Sequence, residues 1–325
     1  MTLLAFQFIL AILLLNKSAD WFARGTALLA ELTGMPRLWM GAILGGFVAS
    51  IPEKIVCCIA AWNHHSEIAL GNGIGSVTFN CVLMGICLLQ TRTALDRAWF
   101  RDHGIPMLIS CLILYAFCLR DAITWPVGLL FVLLAAFYVV WSVLTAERDP
   151  LVARQAEAAI SETLGEQSSI QHRWYVAALL LAISVPILFL SSDWLVHIAV
   201  NMAQQLGISE SVIALTLVAV GTSLPELATT IAATRRGHLD TTIGLIFGSN
   251  VFVGMGAIGI SGLFGRLPIT AANRLFDLPV MMLAMILPFV PLLFGRTPGR
   301  IMGYLLLIGY AVYVYALFTF YGVFE

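Results

Sequence analysis

The sequence predicts an all-α polytopic membrane protein of about ten transmembrane helices, arranged as two five-helix repeats of opposite orientation. Three observations predict it. Of 325 residues, 60% are apolar and only 11% charged, against roughly 25% charged in an average soluble domain, and the mean hydropathy is +0.94. Apolar stretches near the ~20 residues that cross a ~30 Å hydrocarbon core recur along nearly the whole chain. The second half also matches the first at one constant offset.

The formal net charge of −1, with no basic block, excludes a nucleic-acid partner and a peripheral membrane binder, both of which need a cationic face. The six cysteines (Cys57, Cys58, Cys81, Cys87, Cys111 and Cys118) lie in apolar segments without the CxxC spacing of a zinc or redox site, and read as small packing residues. No HExxH or GxSxG motif supports an intramembrane enzyme, and no cofactor is implied.

The first helix spans about 3–30. No basic segment precedes its apolar run, and it pairs with a later segment, so it reads as a mature helix and not as a signal peptide. Helices at 38–62, 67–90, 104–119 and 123–146 complete a first unit, 1–146. The polar stretch Glu147 to Arg173 has an alanine-rich centre that suggests a surface helix, and is read as a cytoplasmic linker, 147–173. Helices at 174–204, 210–234, 240–264, 275–294 and 300–322 form a second unit, 174–325.

Cytoplasmic loops favour arginine and lysine. With the N-terminus outside, the inner loops hold Arg37, Arg92, Arg97, Arg101, Arg148, Arg154, Arg173, Arg235, Arg236, Arg296 and Arg300, and the outer loops Arg120, Arg266 and Arg274. Eleven against three favours both termini outside. An odd number of helices per unit then inverts the second unit relative to the first.

Sliding the chain by 173 positions without a gap pairs Asp20-Trp21 with Asp193-Trp194, Gly34 with Gly207, Ser50 with Ser223, and Pro52-Glu53 with Pro225-Glu226. It also pairs Gly71 with Gly244, Gly75-Ser76 with Gly248-Ser249, and Phe79 with Phe252. One offset across four helical segments points to duplication of a five-helix unit.

The strongest chemical signal is Ser-x-Pro-Glu inside the second and seventh helices, Ser50–Glu53 and Ser223–Glu226. Proline removes an amide hydrogen and frees backbone carbonyls at membrane depth. With a hydroxyl and a carboxylate, these are the hard oxygen ligands that Ca2+ and Na+ take. Intramembrane acids cost something like 2.5–3.5 kcal/mol on insertion scales and are generally functional. The second signal is a glycine-rich turn with a hydroxyl 23 residues after each glutamate, Gly71–Ser76 and Gly244–Asn250. Alone it reads as helix packing; its recurrence makes it a second ligand-bearing element.

GTSLPE at Gly221–Glu226 followed by GSN at Gly248–Asn250 resembles the alpha-repeat signature of the cation/Ca2+ antiporter superfamily, which includes the Na+/Ca2+ exchangers. VASIPE and GNGIGS in the first half resemble its partner repeat, placing the alpha motifs at 41–85 and 214–258. The resemblance implies antiport of Ca2+ for Na+ or H+ by alternating access, with lipid and small inorganic cations as the partners and no protein partner inferable. It assigns Glu53 and Glu226 as shared Ca2+/Na+ ligands, Ser50, Ser76, Ser223 and Ser249 as hydroxyl donors of oxygen, Thr222 and Ala219 as hydroxyl or carbonyl ligands, and Asn80 as a side amide, with Asn250 beside them. A compact chain with short loops suggests a bacterial cytoplasmic membrane.

Four departures bear on the site. Val253 stands where an exchanger has a carboxylate or amide, Val48-Ala49 replaces Gly-Thr, and Val77 replaces the asparagine of GSN. Lys54 replaces an apolar residue, its repeat partner being Leu227; it either supports Glu53 from behind, pairs elsewhere, or takes a cation's place. These departures motivate the rival reading of a degenerate homologue with altered ion choice or a non-transporting role. Asp20 and Asp193 read as structural, Cys57 and Cys58 as packing residues, and His64, His65 and Glu67 as a solvated turn.

Overall fold

The computed structural model describes residues 1–36, 39–40, 43–90, 97–146, 173–235 and 239–320. The suggested surface helix in 147–172, and the inner-loop residues Arg37, Arg92, Arg148, Arg154 and Arg236, lie outside them.

The chain is helical, and its long helices are α1 (Thr2–Leu32), α2 (Ile51–Trp62), α3 (Ser66–Gln90), α4 (Arg97–Cys118), α5 (Trp125–Ala146), α6 (Arg173–Leu206), α7 (Glu210–Thr222), α8 (Leu224–Arg235), α9 (Thr242–Phe264), α10 (Asn273–Leu293) and α11 (Arg300–Phe320). A π-helical segment, Ile43–Val48, precedes α2, further π-helical turns interrupt α7 and α9, and another opens α10. Among the described residues, seven helices are long and apolar enough to cross a bilayer, or eight if the bent pair α7–α8 is one span. The predicted continuous helices at 38–62 and 210–234 are thus both broken, and the helix predicted from 104 begins at Arg97.

Burial separates the bundle into a centre and a shell. In α3 and α9, 83% of the membrane-length window is buried inside the protein, against 28–33% in α1, α5, α6, α10 and α11. Phe6, Ile9 and Leu13 of α1, and Leu179 and Leu190 of α6, are exposed, as lipid-facing positions are. α3 can lie centrally because Gly71 and Gly75, one turn apart, let it meet α7 at backbone distance: a Cβ on Gly75 would fall 2.7 Å from the Leu215 carbonyl oxygen.

The repeat pair Gly34 and Gly207 ends α1 and α6 in the same way. Both take left-handed φ, +72° and +66°, and each is followed by the hydrogen bond of a Schellman cap, Met35 N–H to Ala30 O and Ile208 N–H to Ala203 O.

Tertiary contacts sort the connections into two ends. At one, strands β1 (Ala122–Ile123) and β2 (Leu267–Pro268) pair antiparallel, the Ser66 hydroxyl donates to Arg266 O, and His65 Nδ1 lies 3.1 Å from Glu210. At the other, Arg97 donates to Leu292 O at 2.7 Å. The turn is solvated only in part: His64 and Glu67 are exposed and His65 is half-buried, and Glu67 accepts from the Ser211 amide and hydroxyl, tying the start of α3 to α7.

Candidate functional site

Both Ser-x-Pro-Glu motifs break their helices at the serine. Ser50 (φ −92°, ψ 26°) and Ser223 (φ −90°, ψ 11°) leave helical geometry together, and α7 and α8 meet at a 47° bend. The cause is local: a proline two residues on cannot donate to the carbonyl four residues before it. Each glutamate then falls in the first turn of a new helix, α2 or α8, where uncapped amides favour negative charge.

Pro225 strips the donor from the Gly221 carbonyl, which accepts from the Asn16 amide of α1 at 3.1 Å. In the first half the carbonyls at the break are served by a cation. Lys54 is 2% exposed; its ammonium donates to Phe47 O at 2.9 Å, to Ser50 O at 3.3 Å and to the Ser50 hydroxyl. The rings of Phe47 and Phe252 lie 4.7 and 5.5 Å from Nζ.

Glu53 is 1% exposed and bridges the two halves, its Oε1 accepting from the Ser223 hydroxyl at 2.9 Å. Thr222 donates to Asn72 Oδ1 and to Ala219 O. Asn72 in turn points its amide at the Glu53 carbonyl and at Cys57 Sγ. The Ser50 hydroxyl donates to Gly46 O. Asn80 donates to Asn250 Oδ1 at 2.7 Å, and Asn250 donates to the sulfurs of Met107 and Met285. Val253 is buried and brings no oxygen.

Among the described residues, seven buried side-chain oxygens have no hydrogen-bond partner. Four are Glu53 Oε2, Glu226 Oε2, Ser76 Oγ and Asn80 Oδ1, all from the residues that the sequence singles out. Leaving such an atom without a partner costs about 1–3 kcal/mol or more, and bare buried oxygens are of the type a hard cation takes as ligands. Glu53, Glu226 and Lys54 also interact electrostatically with one another.

A cavity of about 240 Å³ reaches this region, with Asp20, Arg24, Pro52, Glu226, Thr242 and Ser249 in its lining. At the β1–β2 end the Asn63 amide donates to Asp193 at 2.7 Å. The paired aspartates thus differ: Asp20 lines the cavity and Asp193 joins α6 to the end of α2. Cys57 is buried and Cys58 half-buried, as packing residues are.

Three polar residues escape a reading of the sequence alone. Asn16 and Asn72 serve the two breaks, and Asp277 is fully buried in α10, accepting from Asn273 and Tyr313. All three lack a polar repeat partner, which was the signal used to find the others; a polar side chain within an apolar span was the remaining one.

Comparison with known proteins agrees with this fold. The chain is 31% identical over 320 residues to the provisionally assigned antiporter CaxA of Alkalimonas amylolytica, covering 96% of this chain and 97% of that one. It is 30% identical over 320 residues to the inner membrane protein YrbG of Escherichia coli, covering 95% of each. The solved structure of the sodium-calcium exchanger NCX_Mj, soaked with Na+ and Ca2+, superposes with a TM-score of 0.61 at 25% identity over 98% of both chains. The family described as sodium/calcium exchanger protein matches residues 3–144 and 176–319, and this integral membrane protein therefore belongs to that family.

Proposed function

We propose that the protein is a secondary cation antiporter that extrudes Ca2+ in exchange for Na+ or H+. The observation that carries this reading is the set of unpartnered buried oxygens on Glu53, Glu226, Ser76 and Asn80 beside two repeat-related helix breaks. Ser249 and the Ala219 carbonyl complete the ligand set, while Thr222 and Ser223 orient it through Asn72 and Glu53. The Ser50 hydroxyl contributes through Lys54.

Exchange follows from electrostatics. A dehydrated divalent ion, or monovalent ions or protons in its place, offsets the carboxylates; an empty site would carry uncompensated charge through a low dielectric and does not cross. Ten spans in two inverted units, 1–146 and 174–325, with both termini outside the bacterial cytoplasmic membrane, agree with the positive-inside distribution and with the way the connections sort into two ends. The names of CaxA and NCX_Mj support the ion class.

The test is Ca2+ uptake into proteoliposomes under an outward Na+ gradient, an outward H+ gradient, or neither. Gradient-driven uptake that Glu226→Gln abolishes is the expected result, and the effective gradient names the coupling ion. Wild-type protein that moves no Ca2+ under either gradient supports the rival reading, a homologue with altered ion choice or a non-transporting role, which the ammonium on Ser50 favours.

A further inference from the structure

We infer that the Lys54 ammonium is a resident cation that takes the place of one monovalent ion on the first-repeat side of the site, so that each cycle binds one fewer such ion. The inference rests on the antiport reading and deepens it by assigning the coupling stoichiometry to a named residue.

The geometry is that of a cation site made of oxygens. The three acceptors of Nζ are two main-chain carbonyls and a hydroxyl, from Phe47 and Ser50, the ligand types that a desolvated alkali cation takes. Lys54 has three donors and no acceptor, so three oxygens match its charged form. The faces of Phe47, from the first repeat, and Phe252, from the second, cover the ammonium and attract a cation through their quadrupoles. The side chain packs so closely that a Cβ on Gly256 would lie 3.3 Å from Lys54 Cε. Among the described residues its ammonium has no carboxylate within ion-pair distance and is held by the helix break itself, so it does not serve chiefly as a counter-ion clamped to Glu53.

Repeat symmetry makes the substitution legible. The matching positions in the second half are Val220 and Ser223 for the oxygens and Leu227 for the lysine, so that half presents an equivalent break without a tethered charge. Charge counting leads to the same place. Glu53 and Glu226 alone sum to −2, and with Lys54 to −1, so the site needs one fewer mobile positive charge for the same neutralisation. The same fixed charge repels Ca2+, which lowers its affinity without preventing its binding.

The experiment uses purified full-length wild type, Lys54→Met, Lys54→Ala and Lys54→Arg. Two readouts are taken: Na+-dependent thermal stabilisation in detergent with choline as the replacement cation, and the Na+ dependence of Ca2+ exchange in proteoliposomes. Removing the ammonium opens a place for a bound ion, so the methionine and alanine variants gain a Na+-dependent stabilisation beyond that of wild type. Their Hill coefficient for Na+ rises by about one, and apparent Ca2+ affinity rises about tenfold or more. Lys54→Arg behaves as wild type.

Unchanged Na+ stabilisation and cooperativity in both uncharged variants overturns the inference. So does failure of both to fold while Lys54→Arg folds, since that marks a purely structural lysine. Absence of Ca2+ flux from wild type overturns the antiport reading instead; the stabilisation measurement still decides whether the lysine stands in for an ion.

Discussion

Asn72 carries more of the site than its place in a glycine-rich run suggests. It donates toward the Glu53 carbonyl and Cys57, and accepts from Thr222, linking α3 to both broken helices while fully buried. Asn72→Ala strands these groups, at about 1–3 kcal/mol for a lost buried partner. The expected outcome is a thermal unfolding midpoint several degrees lower, together with slower Ca2+ exchange; an unchanged midpoint would remove Asn72 from the framework. At this scale the sequence is legible where symmetry doubles the signal. Glu53 and Glu226 stand out as paired acids in apolar spans. Asn16, Asn72 and Asp277 face Phe189, Leu245 and Gly104 across the 173-residue offset, so no pairing marks them, and only the packed structure gives them partners.

Hydropathy locates the helices and misses how two of them are broken. A window average over 38–62 or 210–234 cannot register one non-helical serine, because the flanking residues stay apolar; Pro52 and Pro225 are the only local sign. The glycine turns show the converse. Both halves have the same Gly-Ser spacing, yet Gly75 sits against the α7 backbone, whereas a Cβ on Gly248 would meet only the Tyr138 hydroxyl, at 3.7 Å. Gly75→Ala forces the Leu215 carbonyl and the Ala219 methyl apart, at roughly 1–3 kcal/mol of overpacking, while Gly248→Ala is tolerated. Melting curves of the two variants test this directly. Equal losses would mean that the repeats pack alike and that the asymmetry is not real.

Duplication and the proposed inversion are properties of the whole chain, and the inversion depends on parity. On the proposed five crossings per unit, the Gly34 and Gly207 caps, although built alike, fall at opposite faces of the membrane. In the proposed orientation the arginine distribution puts the Arg97 end at the cytoplasm. Single cysteines read this out: Asp102→Cys near the Arg97 end and Gln205→Cys near the end of α6 are both exposed positions, and the six native thiols are buried or half-buried. In intact spheroplasts a membrane-impermeant maleimide is expected to label Gln205→Cys at once and Asp102→Cys only after permeabilisation. The reverse pattern keeps the inverted repeat and overturns the orientation. Labelling of both from one side breaks the alternation itself, because positions 102 and 205 would then be separated by an even number of crossings, and two units of five helices could not be inverted copies.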